Sequence, residues 1–253
     1  MPKTRKAAQI LLFLRRVLLL RLVDSEKRTS GAAMSRIARV VVPGYPHHIT
    51  QRGNRKQQTF YSDGDYRAYI RFLAKEKERA EAEIWAYCLM PNHTHVVVVP
   101  KRPDSLAKLF KEAHRKYTRR INSRMGWIGH LWQERFHSFP MDELHTFYAV
   151  RYTELNPVRA RICETAEKWP WSSVHAHMRK EDDPLVRVGP MLQRVEDWGA
   201  FLDEEVPASV LKRFRKHGRT GRPVGNDAFI QTLERKTGRS LSKRKPGPPP
   251  VDK

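Results

Sequence analysis

"LMPNHTHVVVVP", residues 89 to 100, is the stretch from which the fold can be read. Pro91 and Asn92 are turn formers between two runs that suit extended chain, "EIWAYCLM" before them and His93 to Val99 after, so the stretch predicts a β-hairpin. Valines on both faces of the second strand predict a central strand, covered from both sides. Successive side chains of a strand alternate, so His93 and His95 point one way and Thr94 the other. That spacing lets two imidazoles share one divalent ion. It equally suits two hydrogen-bonded structural histidines, and a metal site requires a third donor from elsewhere.

Working outward, Tyr45 to Arg52 reads as a strand. Tyr66, Tyr69, Ile70, Leu73 and Ala74 then recur at helical spacing within a helix from about Asp65 to Ala82. After the hairpin, Leu106, Leu109, Phe110, Ala113, Tyr117 and Ile121 form one apolar stripe, with Lys108, Lys111, Arg115 and Arg119 on the other side. A Gly-containing turn at 126 to 129 leads to "HLWQERFHSFPM", read as a strand. "DELHTFYAVRYTELNP" follows as a helix capped by Asp142 and stopped by Pro157. The order β-α-β-β-α-β-α predicts an α+β fold, a ferredoxin-like antiparallel sheet built on a split β-α-β unit with helices on one face, plus one further helix. That fold hosts many activities and leaves function open.

The chain has 253 residues, enough for one well-packed domain with appendages or for two small domains. Its 49 Lys and Arg against 27 Asp and Glu give a formal charge of +22, which points to a polyanionic partner such as nucleic acid, with an acidic membrane surface the weaker alternative. The ends carry most of the excess: 8 basic and 2 acidic residues over 1–33, and 13 and 3 over 211–253. The tails therefore supply sequence-blind phosphate attraction, and the middle must supply the chemistry. Residues 9–23 are apolar but broken by Arg15, Arg16 and Arg21, too short in their runs to span a bilayer. They read as a basic amphipathic helix, a targeting segment, or part of an extension upstream of a start at Met34. The expected organisation is this extension over 1–33, a catalytic domain over 34–180, a helical DNA-binding extension over 181–240 with a short capped helix at 225–238, and a disordered Pro-rich tail over 241–253. Cys88 and Cys163 cannot make a zinc framework of paired clusters and read as reduced thiols of a cytoplasmic, nucleoid-associated protein.

The helix ending at Pro157 offers the missing donor. His145, Tyr148, Tyr152 and Asn156 recur around one helical face, and Tyr152 and Asn156 are i,i+4 neighbours. If that helix crosses the sheet near the histidine strand, Asn156 can present a carbonyl oxygen to the metal and Tyr152 a phenol to whatever the metal holds. Tyrosine on a helix is more often core, which is the reading for Tyr148, and the residue before a proline is biased away from helical geometry. For DNA, Arg115, Arg119, Arg120 and Arg124 on the striped helix could track a single-stranded backbone, or form a solvated face. Arg219 and Arg222 in "GRTGRPVG" read as a flexible basic arm. Trp127 and Trp132 read as core.

Together "MPNHTHVVVVP", "LWQERFHSFPM", "RYTELNPVRARIC" and "WPWSS" resemble the REP-associated tyrosine transposases, members of the single-tyrosine HUH superfamily with an IS200-like transposase domain. "ARVVVPGYPHHITQRGNRKQQTF" and "TGRPVGNDAFIQTLERKTGRSL" extend the likeness from about Met34 to Pro246. The resemblance implies that His93 and His95 bind a divalent ion (Mg²⁺ or Mn²⁺), that Tyr152 is the nucleophile and that Asn156 is a third ligand. It implies cleavage of single-stranded or palindromic hairpin DNA through a 5′-phosphotyrosine with a free 3′-OH, rejoined later without ATP. Thr94 departs from the bulky hydrophobic residue usual between the histidines, and since it faces away, metal binding should survive. A protein that keeps the fold and the basic tails but only binds and regulates repeat DNA is the alternative. Relatives in the superfamily imply a monomer or a homodimer.

Overall fold

A computed structural model of the chain describes residues 38–242, so the extension at 1–33 and the tail from 243 onward lie outside the described residues. The hairpin forms where the turn residues place it: strand β2, Ala82–Met90, returns through Pro91 and Asn92 as strand β3, His93–Pro100. Strand β1, His47–Arg52, lies on the other side of β3, and β4, His137–Pro140, lies beyond β1. All three pairings are antiparallel, in the order β2-β3-β1-β4. This is the split β-α-β arrangement, with β3 inserted between the two strands that helix α1, Asp63–Arg79, connects.

Side-chain alternation divides the layers. Ile49, Val96 and Val98 enter one apolar cluster with Tyr69 and Leu73 of α1 and with Leu109, Phe110, Ala113 and Tyr117 of α2, Ser105–Met125. Val97, Ala86 and Phe139 enter a second cluster with Ala149 and Val150 of α3, Glu143–Glu154. Thus α1 and α2 share one face and the further helix covers the other, which is why the valine run has no polar position. Asp142 caps α3 by accepting the His145 backbone N–H, and Gly126 closes α2 in the left-handed conformation at φ 65°.

Three stretches differ from the expected pattern. Only His137–Pro140 of the strand expected over 130–141 joins the sheet. Gly129 at φ +92° and Glu134 at φ 54° turn the chain out of extended geometry, and Trp132 keeps just an isolated bridge to Gly53. Pro157 does not end helical structure. The chain breaks at Leu155 and resumes as a one-turn helix α4, Asn156–Arg159, with the proline in its first turn, where its missing N–H costs nothing. Beyond residue 180, where the sequence pattern is weak, lie α6, Gly189–Leu192, α7, Trp198–Asp203, and α8, Ala208–Thr220. They precede the capped helix α9, Asp227–Thr237, while α5, Val174–Arg179, comes earlier. Phe201 and Phe214 of the later helices complete the second cluster. Cys88 and Cys163 form no disulfide.

The segment "WPWSS", residues 169 to 173, lines the outer edge of β2. Leu89 N–H donates to the Trp171 carbonyl at 2.8 Å, Ser173 N–H to the Tyr87 carbonyl at 2.9 Å, and the Trp169 indole to the Leu89 carbonyl at 3.1 Å.

Burial of histidines sets an acid limit on this fold. Burial lowers His47 and His48 to about 4 and His114 to about 3, against an ordinary 6.5. The unfolded chain therefore binds more protons than the folded one between about pH 6.5 and 4. Stability is full above pH 6.5 and falls as pH drops, with a slope approaching about 4 kcal/mol per pH unit for three protons. Urea midpoints measured across that window should fall with pH, and a flat profile would contradict neutral burial of these rings.

Candidate active site

The sheet face under α3 gathers four ring side chains at one spot. In the register, Thr50 sits opposite His95 and Arg52 opposite His93, so the His93 and His95 side chains share a face with Thr50, Arg52 and His48. Helix α3 brings Tyr152 down onto that face. Its ring centroid lies 5.3 Å from that of His95 and 5.9 Å from that of His48. The His93 and His95 rings are 5.0 Å apart with planes at 80°. With metal–nitrogen lengths of about 2 Å, two imidazoles binding one ion stand about 5 Å apart, so this arrangement suits chelation.

The donor atoms fit such an ion. Asn92 donates its amide N–H to the Lys56 carbonyl, which turns its Oδ1 toward His93, and His93 Nδ1 donates to that oxygen at 2.6 Å. The His93 lone pair is therefore on Nε2. His95 makes its hydrogen-bond contacts through Nδ1, 3.1 Å from His48 Nε2 and 3.4 Å from Thr50 Oγ1. Burial first, then the neighbouring His93, His48, Arg52 and Arg159, hold His95 well below its usual range, so it is neutral at neutral pH, as a ligand must be. Among the described residues no group of three His, Cys, Asp or Glu side chains could hold a metal, so a third protein donor would have to be of another type. Asn156 is a residue of such a type: it is buried, in helical geometry despite the following proline, and its amide N–H donates to the Tyr152 carbonyl at 3.3 Å.

Four residues that sequence reasoning missed complete the face. His48 abuts His95. The Arg159 guanidinium carbon lies 4.3 Å over the Tyr152 ring, Arg52 stands opposite His93, and Phe214 of α8 packs 5.9 Å from Tyr152 and 6.0 Å from His48. Arg159 is seven residues past Tyr152, a helical return that could have been found had Pro157 not been read as a stop.

Behind Tyr152, α3 is pinned by a buried polar knot. Glu154, fully buried, accepts from Ser173 Oγ at 2.5 Å, from the Trp198 indole at 2.9 Å, and pairs with His177 Nδ1 at 2.7 Å.

The basic candidates lie elsewhere. Arg115, Arg119, Arg120 and Arg124 are exposed on α2, which packs on the opposite face of the sheet. Arg124 is bound by both of its terminal nitrogens to Asp65, which closes the capping box of α1 with Ser62, and Arg115 pairs with Glu112 at 2.8 Å. Arg222 donates to the Leu241 and Ser242 carbonyls, and Arg219 is exposed near the end of α8. His145 is held by Asp142 at 2.6 Å, Trp132 is buried, and Trp127 is exposed.

Among the described residues no helix is long and apolar enough to cross a membrane. The site lies in a segment that is similar to a known family. Residues 42–156 match the family "Transposase IS200 like". Among solved structures, a REP-associated tyrosine transposase bound to a REP hairpin is similar at 22% identity and a TM-score of 0.50, over 69% of this chain and 100% of that one. A proposed transposase from Deinococcus radiodurans matches at 16% identity and a TM-score of 0.34, over 56% and 97%. No curated protein matches the chain by sequence. The segment that matches the IS200-like transposase family contains β1 through α3 with His93, His95, Tyr152 and Asn156.

Proposed function

We propose that this chain is a REP-associated tyrosine transposase that cleaves and rejoins single-stranded or hairpin DNA through a covalent bond to Tyr152. The observation that carries the reading is the 5.3 Å approach of the Tyr152 ring to His95, made across a strand and a helix 57 residues apart in the chain. In this reading His93, His95 and Asn156 hold a divalent cation. When bound, such an ion supplies Lewis-acid polarisation of the scissile phosphate.

The remaining work falls to side chains. The Tyr152 phenol loses its proton, and its oxygen attacks phosphorus in line. The bond from phosphorus to the 3′ oxygen breaks, and the departing 3′ oxygen takes up a proton to become a 3′-OH. A 5′-phosphotyrosine remains, so one phosphodiester has replaced another and a second 3′-OH can reverse the step. Arg159 over the ring and Arg52 beside His93 give the face a positive rim for phosphate oxygens. The covered underside of β3 and the wall formed by Phe139 and Phe214 limit water at the tyrosine.

The hairpin carried by the similar transposase supports hairpin DNA as this chain's partner. The test is incubation with a labelled palindromic hairpin and Mn²⁺. An SDS-resistant protein–DNA adduct is expected, lost in excess chelator and reduced at least about a hundredfold in His95→Ala. An adduct of unchanged yield in His95→Ala would remove the histidine pair from the mechanism. Hairpin binding without any adduct would indicate a repeat-binding protein.

A further inference from the structure

We propose that His48 is a positioning residue that sets the tautomer of His95: its Nε2 accepts the proton on His95 Nδ1 and so leaves the His95 Nε2 lone pair for a metal ion. The metal part and the choice of His95 as donor rest on the reading above, whereas the pairing of the two ring nitrogens stands on hydrogen bonding alone.

A neutral imidazole carries one N–H and one lone pair, so two neutral rings meeting nitrogen to nitrogen must be one donor and one acceptor. His95 Nδ1 and His48 Nε2 are 3.1 Å apart, with ring planes 21° apart. Among the described residues the other hydrogen-bond contact of the His95 ring is the longer one to Thr50 Oγ1, at 3.4 Å. His48 itself cannot turn away. It is 4% exposed and enclosed by Phe139 at 5.3 Å, Phe214 at 6.0 Å and Tyr152 at 5.9 Å.

The neighbouring histidine shows the same construction. His93 Nδ1 is engaged by Asn92 Oδ1, whose orientation is fixed by Lys56. Both rings of the pair are thus held at Nδ1 by a residue outside the pair, which is how ligating histidines are oriented by an outer shell of partners. His48 and Asn92 play matching parts from two different strand ends. Because His48 is two residues from Thr50, the position opposite His95, the contact exists only in this strand register.

Side-chain ¹⁵N NMR of the metal-free protein at mildly alkaline pH tests the claim directly. Wild type should show His95 as the Nδ1–H tautomer, and His48→Phe should shift it toward Nε2–H. Wild-type His95 found as Nε2–H overturns the proposal, whatever the variants do. In a second arm, Mn²⁺ affinity is measured by electron paramagnetic resonance without DNA. His48→Phe, which keeps an aromatic ring but no acceptor, should weaken binding about 10- to 100-fold. His48→Gln restores an acceptor and should bind nearer to wild type than to His48→Phe. Wild-type affinity in His48→Phe, or a Gln variant as weak as the Phe variant, also overturns it. If wild type shows the Nδ1–H tautomer but binds no Mn²⁺, the metal assignment falls while the His48–His95 pairing stands. Thermal unfolding followed by circular dichroism confirms that each variant is folded.

Discussion

Tyr152→Phe is expected to eliminate the covalent hairpin adduct, a loss of at least about a thousandfold, while leaving folding and hairpin affinity unchanged. Phenylalanine retains the ring that packs against His95, His48 and Phe214 and lies under Arg159, and removes only the hydroxyl. The loss is therefore one of a reacting atom, with no cavity left behind. Denaturing gels of the adduct and gel-shift titration of the hairpin measure the two halves separately. Adduct persisting in Tyr152→Phe would transfer the role to Tyr148, one turn earlier on α3, whose ring lies 6.3 Å from His145.

The second large effect concerns stability. Glu154→Ala is expected to cost about 3–5 kcal/mol, because it strands partners that have no access to water. The Trp198 indole N–H and His177 Nδ1 lose their acceptor at once, Ser173 Oγ keeps only the Tyr87 carbonyl at 3.2 Å, and Ser173, His177 and Glu154 are fully buried. His177 also stacks on Trp198 with centroids 3.9 Å apart, so the loosened rings would expose each other. Glu154→Gln keeps one oxygen acceptor and should cost less. Urea unfolding gives both values, and a loss under about 1 kcal/mol for Glu154→Ala would mean that the knot is not what holds this end of α3. Because Glu154 is two residues from Tyr152, the Ala variant should also blur the position of the phenol, seen as broader NMR signals from the Tyr152 ring.

Much of the fold was legible because its elements obey local periodicity. The apolar stripe from Leu106 to Ile121 could only be a helix, the valine run after two turn formers could only be a doubly covered strand, and Asp142 and Gly238 mark a helix start and a helix end. His93, His95 and Tyr152, whose rings meet in the structure, were legible as neighbours through spacing and resemblance, with Asn156 a candidate beside them. His48 was not. "HHITQR" offers two adjacent histidines on opposite faces of β1, and only the long-range register with β3 decides that His48, and not His47, reaches His95. The same holds for Phe214, which meets Tyr152 from 62 residues away and belongs to a helix whose sequence is dominated by charge. Residues 130–136 were misread for the opposite reason. Their composition suits a strand, but the left-handed Glu134 breaks one, and no composition records a single dihedral.

The match to the family ends at residue 156, yet the sheet does not end there. Tyr87 and Leu89 on the outermost strand meet their hydrogen-bond partners at Trp171 and Ser173, beyond that limit. A fragment trimmed to the matched segment would expose an open strand edge, ready to recruit the same edge of another copy. The unit recognised by inheritance is thus smaller than the unit that can exist alone, and the "WPWSS" segment marks the difference.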